Sequence, residues 1–266
     1  MSNTVPGTAD AALSAAAGAT LAKTQKRSLL HRRIIALLLA LGTLFLLTPV
    51  WQAGMASANF FRVQFLLNEW DKNSDNLTPE RYAQAEHLMA VTLSKDPHHP
   101  HYLLSMAKVL EWGWYKGLRP ASEMAVVERY YQQAIQLRPQ WPNAYADYAW
   151  YLSIVQFRVT EAFEQLALAQ RYGPYMPQVL QRTLAVVYSQ WPHLNASQKA
   201  LAYQVLARSI DASPRLYNPV LQLVKQYQMQ RLGCIYLQAR QTTDKPYSAL
   251  AQQRLQRDFC QNRQLR

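Results

Sequence analysis

Glycine, cysteine and acidic residues are all scarce in this chain. Eight glycines in 266 residues cannot furnish many of the loops that cradle phosphates, and no P-loop or Gly-rich dinucleotide turn occurs. There is no GxSxG, no HExxH and no CxxC, so the common hydrolase, zincin and dithiol chemistries have no foothold. Only 16 acidic residues stand against 28 basic ones, and none forms an obvious pair on one helix face near a histidine. Period-two alternation is rare and hairpin dipeptides are few, which excludes an all-β or α/β fold. The sequence "PHHPH" gathers His98, His99 and His101. They fall in a proline-rich turn with only Asp96 nearby, so a solvated turn is expected rather than a metal site. The expectation is a non-enzymatic chain with no catalytic residue, cofactor or metal.

What the chain has is helix formers and a recurring proline. Gln, Ala, Leu and Arg dominate its second half, and all favour helix. "TLSKDP" ends at Pro97, "AIQLRP" at Pro139, "AQRYGP" at Pro174 and "SIDASP" at Pro214. Five positions before each proline stands a small residue: Thr92, Ala134, Ala169 and Ser209. Small residues let two helices cross closely, and proline ends one helix and starts the next. The sixth and thirteenth positions after each proline are apolar or aromatic: Leu103/Leu110, Tyr145/Leu152, Leu180/Val187 and Val220/Tyr227. That spacing keeps one helix face apolar.

This pattern resembles the tetratricopeptide repeat. Tyr145, Tyr148, Ala149 and Leu152 match its first helix, and Ala162, Leu166, Ala169 and Pro174 match its second helix and turn. Two departures stand out. Ala149 replaces the usual glycine, and the first interval needs an insertion around "WYKGLRPASE". The competing expectation is an irregular helical domain without true repeats. Thr78 before Pro79, inside the glycosylation-like sequon at Asn76, reads as a helix cap with proline at the first helical position.

The N-terminal region differs in composition. Residues 1–33 are rich in Ala, Ser, Thr and Gly, contain no aromatic and read as a disordered tail. Residues 34–51, "IIALLLALGTLFLLTPVW", carry no charge. As a helix they rise about 27 Å, close to the hydrocarbon thickness of a bilayer. Lys23, Lys26, Arg27, Arg32 and Arg33 precede them, and no charge follows until Arg62. The positive-inside rule therefore puts the N-terminus in the cytoplasm and exports the remainder. A signal peptide cleaved after "ASA" at 56–58 is the rival reading, disfavoured by the long leading segment and long apolar run. The expected organisation is tail 1–33, anchor 34–51, exported α-helical repeat domain 59–241 and capping helix 242–266.

Net charge is +12. The first 33 residues supply +4, leaving +8 on the rest. An exported basic domain suggests attraction to anionic headgroups, an acidic polymer or an acidic partner, and argues against nucleic acid. Arg171, Arg182, Arg208 and Arg231 are equally compatible with a solvated face. The only two cysteines, Cys234 and Cys260, lie in the exported part. A disulfide pinning the last helix is expected, with two buried free thiols as the alternative. Aromatics crowd "EWGWYKG" and "ERYYQQA". Neighbouring helix positions diverge by about 100°, so these rings cannot all face one core. Trp114, Tyr115, Tyr131 and Trp150, with Arg119 beside them, are the candidate binding surface.

The basic stretch "QKRSLLHRR" before a single span, the "FFRVQFLLNEW" segment after it and "RPQWPNAYADYAWYL" resemble the VpsP-type polysaccharide biosynthesis proteins of bacterial exopolysaccharide clusters. That resemblance spans most of residues 27–241. It implies a membrane-anchored, non-enzymatic scaffold or adaptor in exopolysaccharide assembly or export. Its partners would be the export membrane proteins or the polymer itself, with the anchor in the bacterial inner membrane and the domain in the periplasm. Two other expectations compete. One is a general envelope scaffold for pilus, secretion or cytochrome assembly, whose peptide groove would be lined by Asn and charged residues. The other is an enzyme acting on polysaccharide, which would need a deep cleft with paired carboxylates.

Overall fold

A computed structural model describes the backbone of residues 8–243 and 246–261, and the side chains of 32–241 and 246–261. The chain divides into two units at Ser57/Ala58.

Helix α1 runs Thr8–Lys72. The stretch 8–33, expected to be disordered, is therefore helical. Its many alanines explain this, since alanine has the highest helix propensity and no side-chain entropy to lose. Residues 1–7 of the expected tail lie outside the described residues. Along residues 34–55 the apolar side chains are exposed on every face, including Leu38, Phe45 and Trp51. A helix apolar all round requires an apolar surrounding. The Thr43 and Thr48 hydroxyls donate to Leu39 O at 2.8 Å and Phe45 O at 2.7 Å, so neither needs water. This helix is long and apolar enough to cross a membrane, and a signal sequence would pass the same test.

The second unit is an all-α helical-repeat fold. Its first helical segment is α1 from Ala58 onward. Then follow α2 (Pro79–Lys95), α3 (Pro100–Tyr115), α4 (Ala125–Leu137), α5 (Pro142–Ile154) and α6 (Val159–Tyr172). The series continues with α7 (Pro177–Ser189), α8 (Ala196–Ser209), α9 (Pro214–Gln226), α10 (Gln230–Thr243) and α11 (Ala249–Arg254). There is no strand among the described residues. Helices pair as α3 with α4, α5 with α6 and α7 with α8, and the first helices of successive pairs touch, α5 on α7 and α7 on α9.

The recurring prolines set this register. In "PHHP", "PQWP" and "PYMP" the repeat proline precedes a second proline by three residues, and that second proline is the first residue of α3, α5 and α7. An N–H missing there costs nothing, because the first turn of a helix has no acceptor for it. The last repeat is shorter: Pro214 is itself the first residue of α9. The small residues Thr92, Ala134, Ala169 and Ser209 are all buried, as are Leu103, Leu110, Tyr145, Leu152, Leu180, Val187 and Val220. The insertion in the first interval forms residues 116–124, with one 3-10 turn at Ala121–Glu123. At Gly113 in α3 an added Cβ would stand 2.5 Å from the Tyr82 ring, so α2 crosses α3 where only glycine fits.

Thr78 caps α2 by accepting from the Arg81 N–H at 3.3 Å. Asn195 closes a capping box with Gln198 at α8. The expected boundary at 242 falls inside α10, so the cap proper is α11, which widens into a π-helical turn at Leu255–Cys260. Cys234 of α10 and Cys260 are joined by a disulfide.

Candidate binding groove

The first helices of the repeats do more than form the core. Counting from the opening prolines of α3, α5 and α7, the fifth position holds Ser105, Asp147 and Arg182, and the eighth holds Lys108, Trp150 and Ala185. Equivalent positions on neighbouring helices stack side by side. Of these, Lys108, Trp150, Arg182 and Ala185, with the C-terminal end of α1 and part of α9, line a groove of ≈ 460 Å³. Its walls are aromatic: Trp112, Trp114, Tyr115, Trp150 and Tyr227. Charged residues also line it: Asp71, Lys108, Glu111 and Arg182.

Asp147 organises that charge. It is 1% exposed and pairs with Lys108 Nζ at 2.6 Å and Arg182 Nε at 2.8 Å. Gln178 Nε2 donates at 2.7 Å to Oδ2, the oxygen that also meets Lys108. Burial works to raise the Asp147 carboxyl, but Lys108 and Arg182 outweigh it and hold the group below its ordinary value. Both groove cations are thus committed to one buried anion. The Arg182 guanidinium also lies 5.3 Å from the Trp150 ring centre, which fixes that indole as part of the wall.

Two carboxylates remain without a cation of their own. Glu111 accepts a hydrogen bond from the Tyr131 hydroxyl. Burial pushes its carboxyl up to about 7, against the Tyr131 bond and the positive charges of Arg182 and Lys108, and Asp147 adds to the rise. Asp71 opens to solvent at the rim. The surrounding walls still strip enough water to raise its carboxyl, with Arg182 and Lys108 opposing and Asp147 assisting.

Glu111 gives a measurable pH dependence. The folded chain keeps its proton to about 7, whereas the ordinary value is 4.5. Between those values the native state binds more protons than the unfolded one. Its contribution is fully present below about 4.5 and is lost as pH rises toward 7. Thermal melts of Glu111→Gln should show a flatter decline across this window and a Tm at pH 8 about 3–6 °C above the parent. A parent and variant with superimposable pH profiles would contradict the assignment.

The five sequence-derived surface residues divide. Trp114, Tyr115 and Trp150 line the groove, with Tyr115 63% exposed. Tyr131 is not a surface residue. It is fully buried in α4, stacked on Tyr148 at 5.5 Å, because Val127, Tyr131 and Ala134 share one face of that helix. Arg119 is not a free charge either. It bonds the Tyr82 hydroxyl at 3.1 Å and pairs with Glu86 and Glu123, fastening the 116–124 insertion onto α2. Arg182, grouped with residues compatible with a solvated face, is instead part of the groove. Asp71, Lys108, Glu111 and Asp147 do not stand out in the sequence as site residues. Their signal lies in the repeat register, since Lys108 and Glu111 are the only Lys, Arg, Asp or Glu on α3 and Asp147 the only one on α5.

The histidine-rich turn is a stacking site. His99 lies 4.0 Å from the Tyr102 ring and His101 4.2 Å from Trp141, while Arg138 bonds His101 at 3.2 Å. Among the described residues no group of three or more His, Cys, Asp or Glu is placed to hold a metal.

No family model matches the chain, and neither a curated protein nor a solved structure does. Fold and groove define an all-α helical-repeat protein with one long apolar N-terminal helix.

Proposed function

We propose that this chain is a membrane-anchored, non-enzymatic adaptor or scaffold for bacterial exopolysaccharide biosynthesis and export. It crosses the inner membrane once, with its N-terminus in the cytoplasm, and presents the repeat domain to the periplasm. The basic flank before residue 34 supports that orientation. One observation carries the binding role: Trp114, Tyr115 and Trp150 stand along one groove over a fixed ion-pair floor. Aromatic faces stack on the C–H faces of sugar rings, and the polar floor supplies hydrogen bonds for hydroxyls. Among the described residues that line the groove, Gln226 is the only side-chain amide and no Asn occurs, which weighs against a peptide groove that grips its ligand through Asn side chains.

Alanine at Trp114, Tyr115 or Trp150 should leave the protein folded and abundant. Each should weaken polymer binding by about 2- to 10-fold, the equivalent of 0.5–1.5 kcal/mol per ring contact, and lower exopolysaccharide yield. Measuring variant abundance, Tm and yield together separates the outcomes. Folded variants with undiminished yield would remove these rings from the functional account.

Two carboxylates that line one groove favour a second reading. Asp71 and Glu111 share the groove, and Glu111 titrates near neutrality, which is what a general acid for glycoside cleavage needs. An enzyme of that kind would release reducing ends from the polymer and lose that activity in Glu111→Gln. The adaptor reading expects no such release by the parent chain.

A further inference from the structure

The domain is basic, but its groove is not. Lys108 and Arg182 are spent on Asp147, and the two acids left over, Asp71 and Glu111, face the same space as Trp112, Trp114 and Tyr115. We infer that the groove takes an amine-bearing sugar unit, held through its ammonium by Asp71 and Glu111 and through its ring face by the aromatic wall. This inference rests on the polysaccharide-binding reading and specifies its ligand.

Three observations point the same way. First, Asp71 sits in the last turn of α1, where the helix dipole disfavours a carboxylate. The only charges that favour its ionised form are Arg182 and Lys108, and both are already paired with Asp147. A ligand cation would supply the missing partner. Second, a carboxylate beside aromatic faces is the arrangement that stabilises a partly desolvated ammonium, by charge pairing and by the ring quadrupole. Third, the surrounding walls raise both acids above their ordinary values. A bound cation would relieve that, whereas an anionic sugar would aggravate it. An acidic polymer, suggested by the net charge of +12, therefore fits the outer surface but not the groove.

The test uses the full-length chain in detergent at neutral pH and calorimetric titration with four probes. These are a glucosamine oligomer with free amines, its N-acetylated counterpart of equal length, oligogalacturonate and an oligolysine peptide. The glucosamine oligomer should bind about tenfold tighter than the acetylated one, with oligogalacturonate and oligolysine weaker still. Asp71→Asn should erase the preference for amine, weakening the glucosamine oligomer about tenfold more than its acetylated counterpart. Tyr115→Ala should weaken both sugars alike. Equal binding of the two sugars, with Asp71→Asn silent, would overturn the inference and leave the polysaccharide reading standing. Tightest binding of oligogalacturonate would overturn it too. Tightest binding of oligolysine would replace the sugar with a basic peptide and overturn both. If no sugar binds, the polysaccharide reading itself fails.

Discussion

Asp147→Ala should lower the melting temperature of the repeat domain by about 10 °C. The side chain is 1% exposed and is the shared anion of Lys108 and Arg182. Removing one member of a buried pair strands the others, which typically costs about 3–5 kcal/mol. Here the lower end applies, because the cationic partners are 24% and 27% exposed and water reaches them. At about 2–4 °C per kcal/mol for a domain of this size, a fall of roughly 10 °C follows. Adding Arg182→Ala to Asp147→Ala should cost less than the sum of the two single changes, since the second charge no longer needs a partner. Strict additivity in thermal melts would show that the pair is not coupled. Asp147→Ala should also weaken ligand binding beyond its effect on folding, because Arg182 would cease to hold Trp150.

Replacing both Cys234 and Cys260 by serine should have a comparable effect through different physics. The bond closes a loop with a sequence separation of 26. Constraining a loop of that length lowers the entropy of the unfolded chain by an amount worth about 3–4 kcal/mol. The cap has other attachments, which should keep it docked without the bridge. Arg254 donates to Ile210 O at 2.8 Å and Ala212 O at 2.6 Å and lies 4.0 Å from the Tyr217 ring centre. The Tyr217 hydroxyl in turn donates to Asp258 at 2.6 Å. The double serine variant should therefore melt about 10 °C lower yet still bind ligand at room temperature, because the groove lies elsewhere on the repeats. Unchanged melting on reduction of the parent would contradict the entropic account.

Proline and small-residue spacing make the repeat register legible in the sequence because both act locally: proline ends and starts helices, and a small side chain admits a close crossing. The same register contains the groove, since side chains five and eight positions into each first helix must stack on their counterparts. What hides the groove is that its charges look like ordinary surface charges until the helices are laid side by side. Asp147 is separated from Arg182 by 35 residues and from Lys108 by nearly forty.

Tyr131 illustrates a local signal that is present in the sequence but masked by its neighbour. Val127, Tyr131 and Ala134 follow core spacing, but the adjacent Tyr130 makes the pair look divided between core and surface. Arg119 is different in kind. Its partners Tyr82 and Glu86 lie on another helix, and only the path of the 116–124 insertion brings them together. In the tail, composition misleads: alanine-rich, aromatic-free sequence reads as unable to build a core, yet the same alanines extend α1 back to Thr8.

The central claim is that the groove binds the polymer. Its most direct test is calorimetric titration of the detergent-solubilised full-length chain with exopolysaccharide extracted from the producing bacterium. The parent should give saturable binding, and Tyr115→Ala combined with Trp150→Ala should weaken it by about 4- to 100-fold while keeping the parent's helicity. Equal binding by parent and double variant, or no binding by the parent, would contradict the account.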